Sequence, residues 1–190
     1  MAIYKLFPTQ DATIYSAYPA MNTGLDEILE ATTDFKTGPL RENGELPQSS
    51  RFLIQFDSNE ISYISSSLIR TNQWTSNLKL YVANIEGLTK TTTVLVNALS
   101  QSWEMGTGHF MDNPETQNGV SWRWRTQSGS NAWLTSGFGA GSTGSYNLST
   151  NPSSSGGGVW WTGSQASQSF SYYSNLDLNF DVKSIVSALL

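Results

Sequence analysis

Hydrophobic and polar residues alternate in short runs along much of this chain. RFLIQFD, residues 51–57, sets Phe52, Ile54 and Phe56 on one side and Leu53, Gln55 and Asp57 on the other. NLKLYVA, 77–83, does the same with Leu78, Leu80 and Val82, and GVSWRWR, 119–125, with Val120, Trp122 and Trp124. Period-two runs rich in β-branched and aromatic residues predict half-buried strands. IYKLF (3–7), ATIYS (12–16), EILEAT (27–32) and TTTVLVNALS (91–100) are further strand candidates. Between them lie AYPAMNTG, KTGPLRENGELPQS and MDNPETQNG, whose Gly, Pro, Asn and Asp favour tight turns.

Two segments break the period. DSNEISYISSSLI, 57–69, spaces Ile61, Ile64 and Leu68 as a helix does, with Asp57 and Glu60 suited to a capping box. DVKSIVSALL, 181–190, repeats the spacing with Val182, Ile185, Val186 and Leu189 and predicts one or two turns. The prediction is an all-β chain with two short helices. A chain of 190 residues is expected to form one domain.

Composition changes this picture at one place. From Thr126 to Leu176 there is no charged side chain, and Ser, Gly, Thr and Asn dominate. Yet the stretch carries Trp133, Phe138, Tyr146, Trp160, Trp161, Phe170, Tyr172 and Tyr173. Flexible Gly/Ser linkers carry no such rings, because nothing in them packs. Residues 126–176 therefore read as a long surface excursion from the sandwich, partly ordered by its aromatics. Long irregular loops in compact domains are commonly functional or disordered.

Charge narrows the function. Charged residues make up 13% of the chain and the net charge is −5. A nucleic-acid binder needs a basic stripe to displace counterions from phosphate, and none is visible. The absence of cysteine removes disulfides, thiol nucleophiles and thiolate zinc sites. The N-terminal residues lack the basic and apolar regions of a secretory signal, and no run approaches the roughly 18 apolar residues of a membrane helix. Synthesis and folding in a cytoplasm, without membrane insertion, are expected.

Three groups of residues invite a chemical reading. His109, the only histidine, lies near Glu104, Asp112 and Glu115, and imidazole with carboxylate can move protons near neutral pH. A lone histidine in a polar turn is more often surface decoration than a base. No Ser-His-Asp pattern, phosphate loop or metal cluster supports catalysis elsewhere, so no enzyme is expected. Asp11, Asp26 and Glu27 could supply oxygen ligands to calcium, although without EF-hand spacing; a solvated turn is the commoner meaning of such a cluster. Finally, exposed Trp and Tyr rings stack on sugars. Trp133, Trp160, Trp161, Tyr172 and Tyr173 are the stacking candidates; adjacent Trp160 and Trp161 would point to opposite faces of an extended strand. Burial in a core or subunit interface competes with that reading.

The order of the segments has a family likeness. QDATIYSAYPAMNTGLDEILEA is followed by SRFLIQFD, NLKLYVANIEG, LSQSWEMGTGHFMDNPETQNGVSW, WLTSGFGAGSTGSYN and LNFDVKSIVSALL. Across nearly the whole chain this resembles the disaggregatase-related, or DNRLRE-type, domain, which implies a jelly-roll β-sandwich similar to carbohydrate-binding modules. The resemblance makes Trp103, Glu104, Gly106 and Trp122, with Gly119 and Val120, framework positions of a loop-and-strand pair. Met105 stands where the family usually has Gly, and Lys183 where it has Thr. The N-terminal segment MAIYKLFPTQDATIYSAYPAMNTGLDEILEA further resembles virion structural proteins of tailed bacteriophages. That likeness implies a non-enzymatic structural or decorating part of a tail, baseplate or capsid surface, assembled in host cytoplasm beside other virion proteins or copies of itself. A carbohydrate-binding module holding host-surface or extracellular glycans is the alternative. Domains of this family continue for at least two strands beyond the Phe-Asp-Val turn. Either the sequence is part of a longer product, or a neighbouring subunit completes the sheet.

Overall fold

A computed structural model describes residues 3–32, 49–69, 73–88, 90–133, 157–158, 160–171 and 177–189. Among them the protein is mostly β-structure in small antiparallel ladders, with short helices, so the all-β class holds. The described residues form two compact units: one from 3–57, 101–133 and 157–158, the other from 58–100 and 160–189.

In the first unit, β1 (Gln10–Tyr15) runs antiparallel to β2 (Ser50–Gln55), with Gln10 opposite Gln55 and Tyr15 opposite Ser50. Four successive β1 residues, Ala12 to Tyr15, are buried. Alternation is lost there because both faces are covered. Thr13 shows how a polar residue survives this: its carbonyl accepts from the Thr23 hydroxyl, and its own hydroxyl accepts from the Glu30 N–H. On β2, Leu53 is the most deeply buried apolar residue, while Phe52 and Ile54 are half-buried.

The expected strand at GVSWRWR starts late. Only β5 (Trp124–Thr126) forms a ladder, with β6 (Asn131–Ala132). The preceding Val120, Ser121 and Trp122 are all buried, since loops enclose them on more than one side. The Val120 N–H donates to Glu104 O, and the Ser121 N–H to Trp124 O. IYKLF and EILEAT are not strands: Ile3, Tyr4, Phe7 and Ile28 are exposed, and alternation without a ladder partner does not hold a strand.

The second unit begins with α1 (Ser58–Tyr63), which widens into a π-helical turn over Ile64–Leu68, closed by Ile69 N–H to Ile64 O. β3 (Asn77–Leu80) pairs antiparallel with β8 (Leu178–Asp181), and β4 (Thr92–Leu99) with β7 (Trp160–Phe170). The β4–β7 ladder is irregular between Asn97 and Leu99. The chain then enters α2 (Lys183–Leu189). The alternation read in NLKLYVA holds: Leu78, Leu80 and Val82 turn inward while Asn77, Lys79 and Tyr81 are exposed. Leu78, Leu80, Val94, Val96 and Phe170 pack on buried Ala166, Leu178, Phe180, Val182 and Ile185. The i, i+3 spacing of Val182 and Ile185 turns one face of α2 into that core.

Candidate functional site

The segment 101–125 is organised around one side chain from far away in sequence. Asn22, 1% exposed, donates through Nδ2 to Met105 O at 2.7 Å and Val120 O at 2.8 Å. Its Oδ1 accepts from Gly108 N–H at 2.7 Å and from Gly24 N–H at 3.4 Å. A buried primary amide with two donors and two acceptor lone pairs is thereby satisfied by backbone alone. Gly106 makes the close approach possible. Its φ is +78°, and an added Cβ would stand 2.5 Å from Asn22 Oδ1 and 2.7 Å from Gly119 Cα.

Trp103 and Trp122 are buried, and the Glu104 backbone donates to Arg125 O and accepts from Val120 N–H. Trp122 also carries Arg51 over its ring, 4.9 Å from the centroid, while the Arg51 guanidinium donates to Gly157 O. The Gly157 N–H returns to Trp122 O at 2.6 Å, which ties the end of the glycine-rich run to the core.

Beyond this knot the loop 109–112 projects outward, and each of its N–H groups is engaged. His109 N–H donates to Asp112 Oδ2 at 2.8 Å, and Phe110 N–H to Asp26 Oδ1 at 3.0 Å. Met111 N–H meets Met21 Sδ at 3.5 Å, and Asp112 N–H closes a turn on His109 O at 3.3 Å. Met111 adopts φ +60°, a left-handed conformation rare for a long side chain. The hydrogen bond from the His109 backbone holds the Asp112 carboxyl below the usual carboxylate range, with Thr116 and the His109 charge acting in the same direction.

This loop presents rings to solvent. Phe110, 46% exposed, lies 5.1 Å from buried Tyr15 and 5.9 Å, edge-on, from Tyr18, which is 39% exposed. Met111 is 58% exposed, and exposed Leu25 is bonded through its N–H to Gly108 O. Polar groups frame the rings. His109 Nδ1 is 3.5 Å from Asp26 Oδ1, and the Tyr15 hydroxyl donates to Glu30 Oε2 at 2.8 Å. Burial, and then the Glu30 carboxylate, push the Tyr15 phenol far above its ordinary value.

The carboxylates near His109 in sequence do not form a proton-transfer pair with its ring. Asp112 receives the His109 backbone N–H, and the imidazole faces Asp26 instead. The calcium candidates are differently employed. Asp11 lies on β1 opposite Ile54, with its carboxyl pushed up by burial; Asp26 serves Phe110 and His109; Glu27 is exposed. Among the described residues, no three His, Asp or Glu side chains gather as a metal site would require.

The stacking candidates separate sharply. Trp133 must be corrected: it is 4% exposed and its indole N–H donates to Ser121 O at 3.0 Å, so it is a core ring. Trp160 is half-buried and Trp161 is 38% exposed, the opposite orientations expected of neighbours in a strand. Tyr172 and Tyr173 lie outside the described residues, as does much of the 126–176 stretch. The rings of Tyr18 and Phe110 escaped the sequence reading. The only signal for Phe110 was the pair of apolar residues in GHFMDNP, inside an otherwise polar turn with no alternating partner; Tyr18 sits in the turn cluster AYPAMNTG and carried none.

No family model, curated protein or solved structure matches the chain. Among the described residues, no helix is long and apolar enough to cross a membrane.

Proposed function

We propose that this chain is a DNRLRE-type jelly-roll module that works without catalysis, as a structural or decorating component of a tailed-phage particle. It assembles in host cytoplasm and docks onto neighbouring virion proteins and copies of itself. The observation that carries this reading is the β4–β7 pair. Among the described residues β4 and β7 each have one ladder neighbour, and a strand of that kind is where a further chain adds. The outward face of the pair is uncharged: Thr93 lies opposite Ser169, Leu95 opposite Ser167 and Asn97 opposite Gln165, and Leu95 is exposed. A face of this kind loses little desolvation energy when a protein neighbour covers it. The 101–125 loop supports a reading without catalysis: Asp112 holds the His109 backbone N–H, Glu115 accepts from the Gln117 side chain, and Gly106 and Gly119 allow the close backbone approaches.

Quantitative mass spectrometry of purified virus particles tests the reading. A copy number matching tail or capsid symmetry is expected, and absence of the chain from particles would refute it.

Carbohydrate binding is the second reading, favoured by the exposed rings of Trp161, Tyr18 and Phe110.

A further inference from the structure

We infer that the Tyr18–Phe110 corner on the 109–112 loop is a glycan-binding site that takes a neutral or amino hexose and rejects uronates. The inference rests on the carbohydrate reading, not on the virion reading, and it assigns the site to Tyr18 and Phe110 rather than to Trp161 of β7.

Three observations lead here. First, two aromatic rings stand exposed and edge-on to each other, 5.9 Å apart, with a third ring, Tyr15, packed beneath Phe110. Such a corner offers ring faces to the axial C–H groups of a pyranose, and the supporting ring keeps Phe110 in place. Second, the presenting loop is ordered before any ligand arrives. All four N–H groups from His109 to Asp112 are engaged, and Met111 is held at positive φ. A loop already fixed in one conformation binds without further ordering cost. Third, the groups framing the rings are hydrogen-bonding and mostly acidic. Asp26, Glu30 and Asp112 are tied to the platform by hydrogen bonds, Glu27 follows Asp26 in the chain, and His109 faces Asp26. Carboxylates accept from sugar hydroxyls and attract an amine, whereas they repel a uronate.

The size of the patch also selects a sugar over a protein. Exposed apolar side chains on and beside the loop are Tyr18, Leu25, Phe110 and Met111. A stable protein interface takes about 20–30 residues a side. A corner of four apolar side chains matches one or two hexose rings.

The test is calorimetric titration of the full chain with four hexasaccharides: cellohexaose, chitohexaose, its deacetylated glucosamine counterpart, and hexagalacturonate. Binding of at least one of the first three is expected, with no response to hexagalacturonate. Phe110→Ala and Tyr18→Ala should each weaken that binding about tenfold or more. Both residues are exposed, so the variants should keep the parent's circular dichroism and melting temperature. Trp161→Ala should leave affinity unchanged. Binding that survives Phe110→Ala and Tyr18→Ala but disappears with Trp161→Ala would overturn this site and leave the carbohydrate reading standing. No heat with any sugar at millimolar concentration would remove both. Tighter binding of hexagalacturonate would overturn the charge argument and direct attention to exposed Arg123, whose backbone N–H bonds Pro19 beside Tyr18. A change of oligomeric state in Phe110→Ala, without any effect on sugar, would make the corner a protein contact and sink the proposal.

Discussion

Asn22→Ala is the most demanding test of how the loop is built. The substitution leaves Met105 O, Val120 O and Gly108 N–H without their partners, at 2.7, 2.8 and 2.7 Å in the parent, and Gly24 N–H without its longer one. A buried polar group left unpaired costs about 1–3 kcal/mol. Four such groups would exceed that range severalfold, but water entering the space of the lost amide recovers part of it. We expect a loss of about 3–5 kcal/mol, near the upper limit for point substitutions. At about 2–4 °C per kcal/mol for a chain of this length, the melting temperature should fall by about 6–20 °C. Urea unfolding followed by tryptophan fluorescence is suited to the question, because Trp103, Trp122 and Trp133 are all buried in the same unit. Asn22→Asp separates hydrogen bonding from packing. It keeps the shape but turns oxygen toward two carbonyls, so it should be at least as damaging at pH 7. Burial raises the new carboxyl's pKa, so this variant's deficit should be smallest below about pH 3.9 and grow as pH rises. A loss under about 1 kcal/mol in Asn22→Ala would refute the view that this amide organises the loop.

The remaining predictions probe separate parts of the first unit. Gly157→Ala places a Cβ 2.7 Å from Arg51 Nη1 and 2.9 Å from the Trp122 ring, at φ +78°, and should cost about 1–3 kcal/mol in urea unfolding. Asp112 has a folded-state pKa below its unfolded value, so its contribution is complete above the ordinary carboxylate range and is lost as pH falls through the folded pKa. Asp112→Asn should therefore flatten the acid limb of stability, and an unchanged limb would contradict the His109–Asp112 turn. The raised Tyr15 phenol works in the other direction, with stability lost as pH climbs above about 10, the unfolded tyrosine value. Tyr15→Phe should show a weaker alkaline loss by circular dichroism. Trp133→Phe leaves Ser121 O without its donor and should lower stability by about 1–3 kcal/mol.

Much of the fold was legible because strand and helix leave periodic traces. β3, β4 and both helical segments fall within the runs that alternation and i, i+3 spacing indicated, and β1 and β2 overlap theirs, starting one or two residues earlier. β7 (Trp160–Phe170) corrects the expectation of a surface excursion over 126–176, because this part of the stretch forms a ladder with β4. The other failures share a cause. IYKLF alternates but has no ladder partner, and GVSW does not alternate in burial because loops cover it on several sides. Trp133 and Trp161 look alike in a Gly/Ser-rich context, yet one closes a core hydrogen bond and the other faces solvent.

The sequence by itself determined the all-β class, the positions of most strands and the poverty of charge, since these follow from local pattern and composition. Only the tertiary structure decided that Asn22 is the centre of the 101–125 loop, and that Asp26 holds Phe110 from 84 residues away. A hydrogen bond between distant segments imposes no periodicity on either one. It specifies a single side chain at a single place, and that place exists only once the chain has folded.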